Sequence, residues 1–333
     1  MNAAGIFAFA LLAAIAPLPA QEATHTPPAA GQDADSGAAA IVHEETQGAT
    51  SEARGPVDII TPHITDSHEL EYPCFKAGLA CHVELPRWAP IHIGPLTLDL
   101  SPTKHVVWML IATITVAIVL IASARAHVRH HHAHGTPKGF SGAIEALVLY
   151  MRNEVVIPNV GHHGEAFVPF VLTLFFFILS ANLFGLIPYG ATATGNISVT
   201  ATLAIITFIV VEIAGMRALG PGYIKTLVYW PSDMSLAMKL PMTLIMTPVE
   251  IVGKITKPFA LAIRLFANMT AGHVVLLALV GLIFTFGSYF VAGVPVAMGV
   301  AIMLLELFVA FLQAFIFALL ASVFIGQIRA AHH

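Results

Sequence analysis

Long apolar runs with few charges dominate the chain after residue 104. The first run, 105–124, contains no charged residue and has the length that a bilayer core requires of a helix. Two further runs, 167–187 and 197–216, are joined by a short uncharged loop. This pattern predicts one membrane-spanning helix followed by a helical hairpin.

The remaining apolar sequence is too long for upright helices. Residues 239–290 are apolar with few interruptions, although about twenty residues suffice to cross a bilayer core, so this helix must tilt strongly or break. A turn at Gly293-Val294-Pro295 leads to a last stretch of similar character, which ends at Arg329. We therefore expect an all-α integral membrane protein with about five membrane-embedded helices, the last two of them long and tilted.

A shorter segment before the hairpin has a different pattern. Over residues 140–156, apolar groups recur at helical spacing, while Glu145, Arg152 and Glu154 fall elsewhere. Such a pattern is typical of an amphipathic helix that lies on a membrane surface. We predict one surface helix of this kind in addition to the embedded ones.

Basic residues indicate which way the helices run. Four of them follow the first run: Arg125, Arg129, Lys138 and Arg152. The candidate loops on the other side, 188–196 and 291–299, contain no Lys or Arg. Since basic residues accumulate in cytoplasmic loops, we expect the N-terminus outside and the C-terminus in the cytoplasm.

The chain before the first run is of a different kind. Within residues 1–20 an apolar run is followed by Pro17-Leu18-Pro19-Ala20, and this pattern is typical of an export signal. Because no Lys or Arg precedes the run, an uncleaved anchor is the alternative. Residues 21–89 form an acidic extracytoplasmic leader, whose weakly hydrophobic first part is predicted to be disordered. The membrane domain is expected at 90–333.

The leader contains both cysteines of the chain, Cys74 and Cys81. In an exported segment they are expected to form a local disulfide, and two free thiols are the alternative. A metal site is not expected, because His82 is the only further ligand close to them in sequence.

Composition supports a membrane location. Of the 333 residues, 57% are hydrophobic and 10% are charged, whereas a soluble domain has about 25% charged residues. The charges are unevenly distributed: residues 21–103 contain twelve acidic and three basic residues, and residues 104–333 contain seven acidic and twelve basic ones. This composition excludes a soluble enzyme and a nucleic-acid-binding protein.

Five charged residues interrupt the last two apolar stretches: Glu250, Lys254, Lys257, Arg264 and Glu306. An ionised side chain at the centre of a membrane helix costs roughly 2.5–3.5 kcal/mol on insertion scales, so such residues are candidates for function. Snorkelling towards a helix end is an alternative for Lys254 and Lys257. It does not explain Arg264 or Glu306, which are followed by long apolar sequence.

Helical spacing arranges these residues on defined faces. At about 100° per residue, positions seven apart nearly superpose, so three charged groups share one stripe: Glu250, Lys257 and Arg264. Asn268 follows about 40° away from that stripe, whereas His273 falls on the side opposite Arg264. On the last helix, Glu306 and Gln313 share a face.

Arg264 and the pair of His273 and Glu306 indicate different roles. A guanidinium is always charged in a protein, so Arg264 cannot pass protons on, but it can attract a carboxylate. His273 alone would be interpreted as a hydrogen-bonded core histidine. Together with a second ionisable residue in the membrane, Glu306, it favours a proton relay.

Several motifs here resemble the a subunit of F-type ATP synthases. The first is the segment 257–273, KPFALAIRLFANMTAGH, and the second is the segment 312–317, LQAFIF, with Glu306 upstream of it. The segments 175–188, FFFILSANLFGLIP, and 195–200, GNISVT, are similar to the family's first hairpin. The resemblance covers the whole of the expected membrane domain.

The resemblance implies a stator subunit that packs against a rotating ring of small hairpin subunits, each with one membrane carboxylate. Arg264 would face the ring and separate two aqueous half-channels, with Asn268 and Gln313 near it. His273 and Glu306 match the pair of the outside half-channel. Their order is exchanged relative to enterobacterial members and is similar to that of mitochondrial and alphaproteobacterial ones.

The same resemblance assigns Glu250 to the cytoplasmic half-channel and adds Asn196 to the proton path. It implies proton translocation that loads and unloads ring carboxylates and couples proton flow to rotation and ATP synthesis. The implied partners are the ring, peripheral-stalk subunits, a soluble ATPase sector, protons and membrane lipid, without cofactor, metal or nucleic acid. The chain has no Walker-type phosphate loop, so ATP chemistry would belong to its partners.

Two other classes of protein fit less of the sequence. His127-Val-Arg-His130-His131 has the form of a histidine box of a membrane di-iron enzyme, but a third box is missing, so a solvated His-rich loop is favoured. A secondary transporter would show internal repeats with broken helices, and the sequence shows no repeat. The sequence is compatible with translocation of either a proton or a sodium ion.

Overall fold

The computed structural model describes residues 67–73, 80–88, 91–93, 96–98, 101–132, 139–187, 190, 192–228, 230, 235–286 and 289–330. The predicted export signal, the predicted disorder of the early leader and one member of the cysteine pair, Cys74, lie outside these residues. In the described part, five helices are long and apolar enough to cross a membrane. This confirms the prediction of an all-α integral membrane protein.

Seven α-helices form the body of the described chain. In chain order they are α1 (Lys104–His132), α2 (Phe140–Tyr150), α3 (Ile157–Val160), α4 (Val168–Gly185), α5 (Ile197–Leu219), α6 (Leu236–Phe286) and α7 (Tyr289–Ala330). A π-helical turn follows α2, and 3₁₀ turns join other helices: Met151–Val156, then Gly164–Phe167, Ala193–Gly195 and Gly220–Thr226. The spanning helices follow the order that the apolar runs predict.

Two short β-hairpins precede α1 and were not predicted from the sequence. Strand β1 (Glu69–Pro73) pairs antiparallel with β2 (Ala80–Glu84), and β3 (Ile91–Ile93) pairs with β4 (Leu96–Leu98). Polar and apolar residues alternate in β1, which is the period of a strand, but strands this short leave little pattern to detect. The N–H of Lys104 donates to the Ser67 carbonyl at 3.0 Å, which ties the first hairpin to the start of α1.

The last two helices are long, as predicted, but the turn predicted between them lies within the second of them. They contain 51 and 42 residues, which corresponds to about 77 and about 63 Å, so neither can stand upright in a core about 30 Å thick. The predicted turn at Gly293-Val294-Pro295 is wrong, since these residues lie inside α7. In apolar surroundings a helix satisfies its own backbone groups, which favours continuing it through a motif that often ends helices in water.

Helices α4 and α7 form the centre of the bundle. Helix α4 buries Phe175 and Ile178 completely, and α7 contributes a row of buried alanines: Ala310, Ala314, Ala318 and Ala321. Small residues let helix backbones approach closely in a membrane. Phe311 of α7 packs edge-on against Phe175, with ring centroids 5.8 Å apart. This packing fixes α7 beside α4 and so decides where the polar groups of α7 lie.

The predicted surface helix ends in a buried turn. Helix α2 has no buried residue, whereas the π-helical turn after it buries Met151, Val155 and Val156. Arg329 near the end of α7 donates to the carbonyl of His162 at 2.5 Å and so holds this region against the bundle. The position of α2 on a membrane surface stays a prediction.

Candidate functional site

His273 of α6 and Glu306 of α7 are in direct contact inside the bundle. Nδ1 of His273 lies 2.8 Å from Oε1 of Glu306, and the side chain of Glu306 is 5% exposed. Because the two residues lie on neighbouring helices, the contact depends on how α7 packs against α6. The structure therefore brings together the two residues that the sequence assigned to a relay.

The other ring nitrogen of His273 has two oxygen partners. Nε2 lies 2.9 Å from the carbonyl oxygen of Gly185 and 3.0 Å from Oγ1 of Thr192. A carbonyl oxygen can only accept a hydrogen bond, so Nε2 carries a hydrogen. Nδ1 and Glu306 then share one further proton: either a neutral carboxyl donates to Nδ1, or an imidazolium donates to a carboxylate. The pair is therefore one proton site with two positions.

Two glycines make room for this contact. A Cβ on Gly272 would lie 2.7 Å from Oε1 of Glu306, so the carboxylate would have to shift. A Cβ on Gly185 would collide with the side chain of Thr192. Neither Gly185 nor Thr192 was predicted, because their contact with His273 joins positions 88 and 81 residues apart. Local spacing carries no signal for a contact of that kind.

A chain of buried polar groups fixes the loop that contains Thr192. Asn182 of α4 is completely buried. Its amide donates to the Ala310 carbonyl at 3.2 Å and accepts from Oγ1 of Thr194 at 2.6 Å. Asn182 belongs to the hairpin motif at 175–188 but was not predicted as a site residue. It links α4, α7 and the loop beside His273.

Arg264 occupies a different face of α6 and its side chain is exposed. Across the residues that the structure describes, its guanidinium has no hydrogen bond or ion pair. One turn further along, Asn268 donates to Oε1 of Gln313 at 2.9 Å. Gln313 is 2% exposed, and its amide nitrogen has no protein partner in the described chain. Arg264 thus presents a fixed positive charge on the outside of the isolated subunit.

A second polar region lies nearer the start of α6 than Arg264 does. It is a cavity of about 200 Å³ between α5, α6, α7 and the turn at Gly220–Thr226. Four charged residues line it: Glu212, Glu250, Lys254 and Lys257. Nζ of Lys257 donates to Oε1 of Gln327 at 3.4 Å. The predicted Glu250 thus lines the same cavity as a second acid, Glu212 of α5, which was not predicted.

Asn196 lies at the start of α5 rather than among the groups that bond His273. Its side-chain oxygen accepts from the N–H of Ser198 at 2.9 Å, and this contact caps the helix by satisfying a free backbone donor. Of the two cysteines, Cys81 lies in β2 opposite Tyr72. Because Cys74 is outside the described residues, the disulfide stays a prediction.

Known proteins resemble the chain over most of its length. The family model for the ATP synthase A chain matches residues 106–326. The chain is 42% identical over 316 residues to ATP synthase subunit a 2 of Chlorobaculum tepidum, and the aligned region covers 92% of this chain and 82% of the relative. It is 46% identical over 266 residues to ATP synthase subunit a of Chloroherpeton thalassium, covering 80% and 74% of the two chains. It is 46% identical over 293 residues to that of Myxococcus xanthus, covering 83% and 91%. The resemblance found in the motifs is confirmed, and the chain belongs to the ATP synthase A chain family.

Proposed function

We propose that this chain is the proton-translocating stator subunit of an F-type ATP synthase. The observation that carries the proposal is the order of three polar groups along α6. The cavity at Glu250 comes first, the exposed Arg264 about 21 Å further on, and the His273–Glu306 pair about 14 Å beyond that. Two proton-binding sites with a fixed positive charge between them are what two separate half-channels need.

Arg264 supports a partner that carries a carboxylate. An uncompensated guanidinium facing lipid is costly, so the assembled protein needs an anion opposite it. A ring of small hairpin subunits, each with one membrane carboxylate, would supply that anion. Exposed apolar side chains on both long helices, such as Phe259, Ile263, Leu304 and Phe308, would pack against the ring.

In this mechanism a proton enters from outside through the His273–Glu306 pair. It neutralises a ring carboxylate that Arg264 has held ionised, and the neutral carboxyl can then face lipid, where a charged one would be costly. After nearly a full revolution the carboxyl reaches the cavity at Glu250 and releases its proton to the cytoplasm. Arg264 cannot carry protons itself, so it blocks a direct leak between the two sites.

We also propose a membrane, an orientation and further partners for the subunit. The chain would lie in a bacterial inner membrane with its N-terminus outside and its C-terminus in the cytoplasm. Peripheral-stalk subunits would hold it against the torque of the ring, and a soluble sector would carry out the ATP chemistry.

Proton-driven ATP synthesis tests the proposal. The complex is isolated by affinity purification of this chain and reconstituted into liposomes. A pH step together with a potassium diffusion potential then drives ATP synthesis. Arg264→Ala should abolish ATP synthesis, whereas Arg217→Ala, at an exposed position near the end of α5, should leave it unchanged. Normal synthesis by the Arg264→Ala complex would refute the proposal. A sodium gradient in place of the pH step identifies the coupling ion.

A further inference from the structure

A partly buried ion pair joins α5 to α6, and neither of its members has a role in the mechanism above. Glu212 lies within an apolar part of α5, and Lys254 faces it from α6; their side chains are 16% and 13% exposed. Nζ of Lys254 lies 3.8 Å from Oε2 of Glu212. Placing two ionisable groups within membrane-spanning helices is costly, so the pair calls for an explanation.

The two side chains of the pair are not in direct hydrogen-bond contact. A separation of 3.8 Å exceeds a direct hydrogen bond, and Lys254 instead donates to Oγ1 of Thr226 at 3.0 Å. Its Nζ also lies 4.8 Å from the centre of the Tyr223 ring. Neutral groups therefore hold the ammonium in place. Lys254 compensates the charge of Glu212 without occupying the carboxylate oxygens.

Glu212 lines the same cavity as Glu250. A volume of about 200 Å³ has room for about six waters at about 30 Å³ each, and polar groups from three helices and from the turn at Gly220–Thr226 line it. The charged groups that face it are Glu212 from α5 and Glu250, Lys254 and Lys257 from α6, while α7 contributes the neutral Gln327. With both acids ionised the cavity is neutral, and each bound proton adds one positive charge. Binding of one proton therefore makes binding of a second less favourable.

Position along α6 sets an order between the two acids. Lys254 lies one helical turn, about 6 Å along the axis, closer to Arg264 than Glu250 does. Glu212 faces Lys254 and therefore lies at about the same level. Glu212 is also more enclosed than Glu250, which is exposed. A proton that leaves the Arg264 region thus meets Glu212 before Glu250.

We propose that Glu212 is a second proton-carrying residue on the release side of the subunit, in series with Glu250, and that Lys254 is its charge partner. This inference rests on the proposed function. Only a proton moves: Glu212 accepts it from a ring carboxyl through cavity water and passes it to Glu250 through cavity water. A purely structural pair between α5 and α6 is the competing explanation.

ATP-driven proton pumping by the reconstituted complex separates the two explanations. Glu212→Gln with Lys254→Met removes both charges together, so neither is left uncompensated. We expect this double variant to assemble in normal amounts and to pump about tenfold more slowly, a smaller loss than the roughly 10²–10⁴-fold typical of a missing acid–base group, because Glu250 remains in the cavity. Glu212→Asp keeps a carboxylate in the cavity and should restore most of the pumping. Normal pumping by the double variant would overturn the proposal.

Two controls make the result specific. Arg152 and Glu165 form an exposed ion pair at 2.7 Å, outside the cavity, and Glu165→Gln with Arg152→Met should pump normally. Glu306→Gln in the same assay tests the proposed function itself. If Glu306→Gln stops pumping while the Glu212 variants pump normally, this inference alone fails. If Glu306→Gln also pumps normally, the proposed function fails with it.

Discussion

Arg264 and His273 lie nine residues apart on one unbroken helix and face different surroundings. Arg264 is exposed on the outside of the subunit, whereas His273 contacts Glu306, Gly185 and Thr192 within the bundle. Because α6 is continuous between them, their axial separation of about 14 Å is fixed. In the function proposed above, a ring carboxyl that passes Arg264 would carry the proton across this separation.

Exchanging the two members of the relay should be tolerated better than removing one. The double variant His273→Glu with Glu306→His keeps both group types and their shared proton. It should retain at least about tenfold more ATP-driven pumping than Glu306→Leu, which removes the acid. Pumping rates per assembled complex measure the difference. Equal loss in both variants would argue against a paired relay.

Gly272→Ala should impair proton transport by displacing Glu306. The added Cβ would lie 2.7 Å from Oε1 of Glu306, so the carboxylate must move away from His273. Shortening the acid in Gly272→Ala with Glu306→Asp should recover part of the pumping. Gly253→Ala on the same helix is the matched control, because a Cβ there meets nothing within 4 Å. A Gly272→Ala complex that pumps normally would contradict the geometry.

Thr192→Val should weaken the relay without abolishing it. The substitution removes one of the two oxygen partners of Nε2 and leaves the Gly185 carbonyl to hold the hydrogen there. A net hydrogen bond contributes about 1 kcal/mol, so we expect pumping to fall about fivefold. Thr202→Val is the control, since in the part of the chain that the structure describes that hydroxyl bonds only the Ser198 carbonyl within α5. Complete loss in Thr192→Val would show that the hydroxyl itself conducts protons.

Asn182→Leu should destabilise the subunit. It leaves the buried Thr194 hydroxyl without its acceptor and the Ala310 carbonyl without its side-chain donor, at a cost of about 2 kcal/mol. Thermal dissociation of the detergent-purified complex should therefore begin at a lower temperature. Asn153→Leu, at an exposed position, is the control. An unchanged dissociation temperature would mean that water replaces the lost partners.

The helices could be predicted from the sequence because apolar length is a direct requirement of the bilayer. The end of α6 could not, since Gly293 and Pro295 are typical of a turn and yet continue as helix within α7. The first β-hairpin was missed because five-residue strands leave little pattern. For each of these features the deciding information lies in tertiary surroundings rather than in local spacing.

The residues of the candidate site also fall into two groups: those that the sequence identified and those that only the structure identified. Arg264, His273 and Glu306 stand out because charge and imidazole are rare in long apolar stretches. Glu212 was missed because it lies in a helix of ordinary length, near Arg217, where a single acid resembles a helix-end group. Thr192 has an ordinary local sequence, and only the folded contact with His273 identifies it.

The length of α6 has an electrical consequence for the proposed mechanism. Its 42-residue apolar span, Met238–Leu279, measures about 63 Å and fits a core of about 30 Å only if it leans about 60° from the membrane normal. Lys254 and His273 are about 28 Å apart along the axis, which such a lean reduces to about 14 Å across the membrane. If water reaches both sites, most of the membrane potential falls over that shorter depth. Each proton would then experience a field about twice as steep as the one across an intact bilayer, while most of its path between the two sites runs sideways.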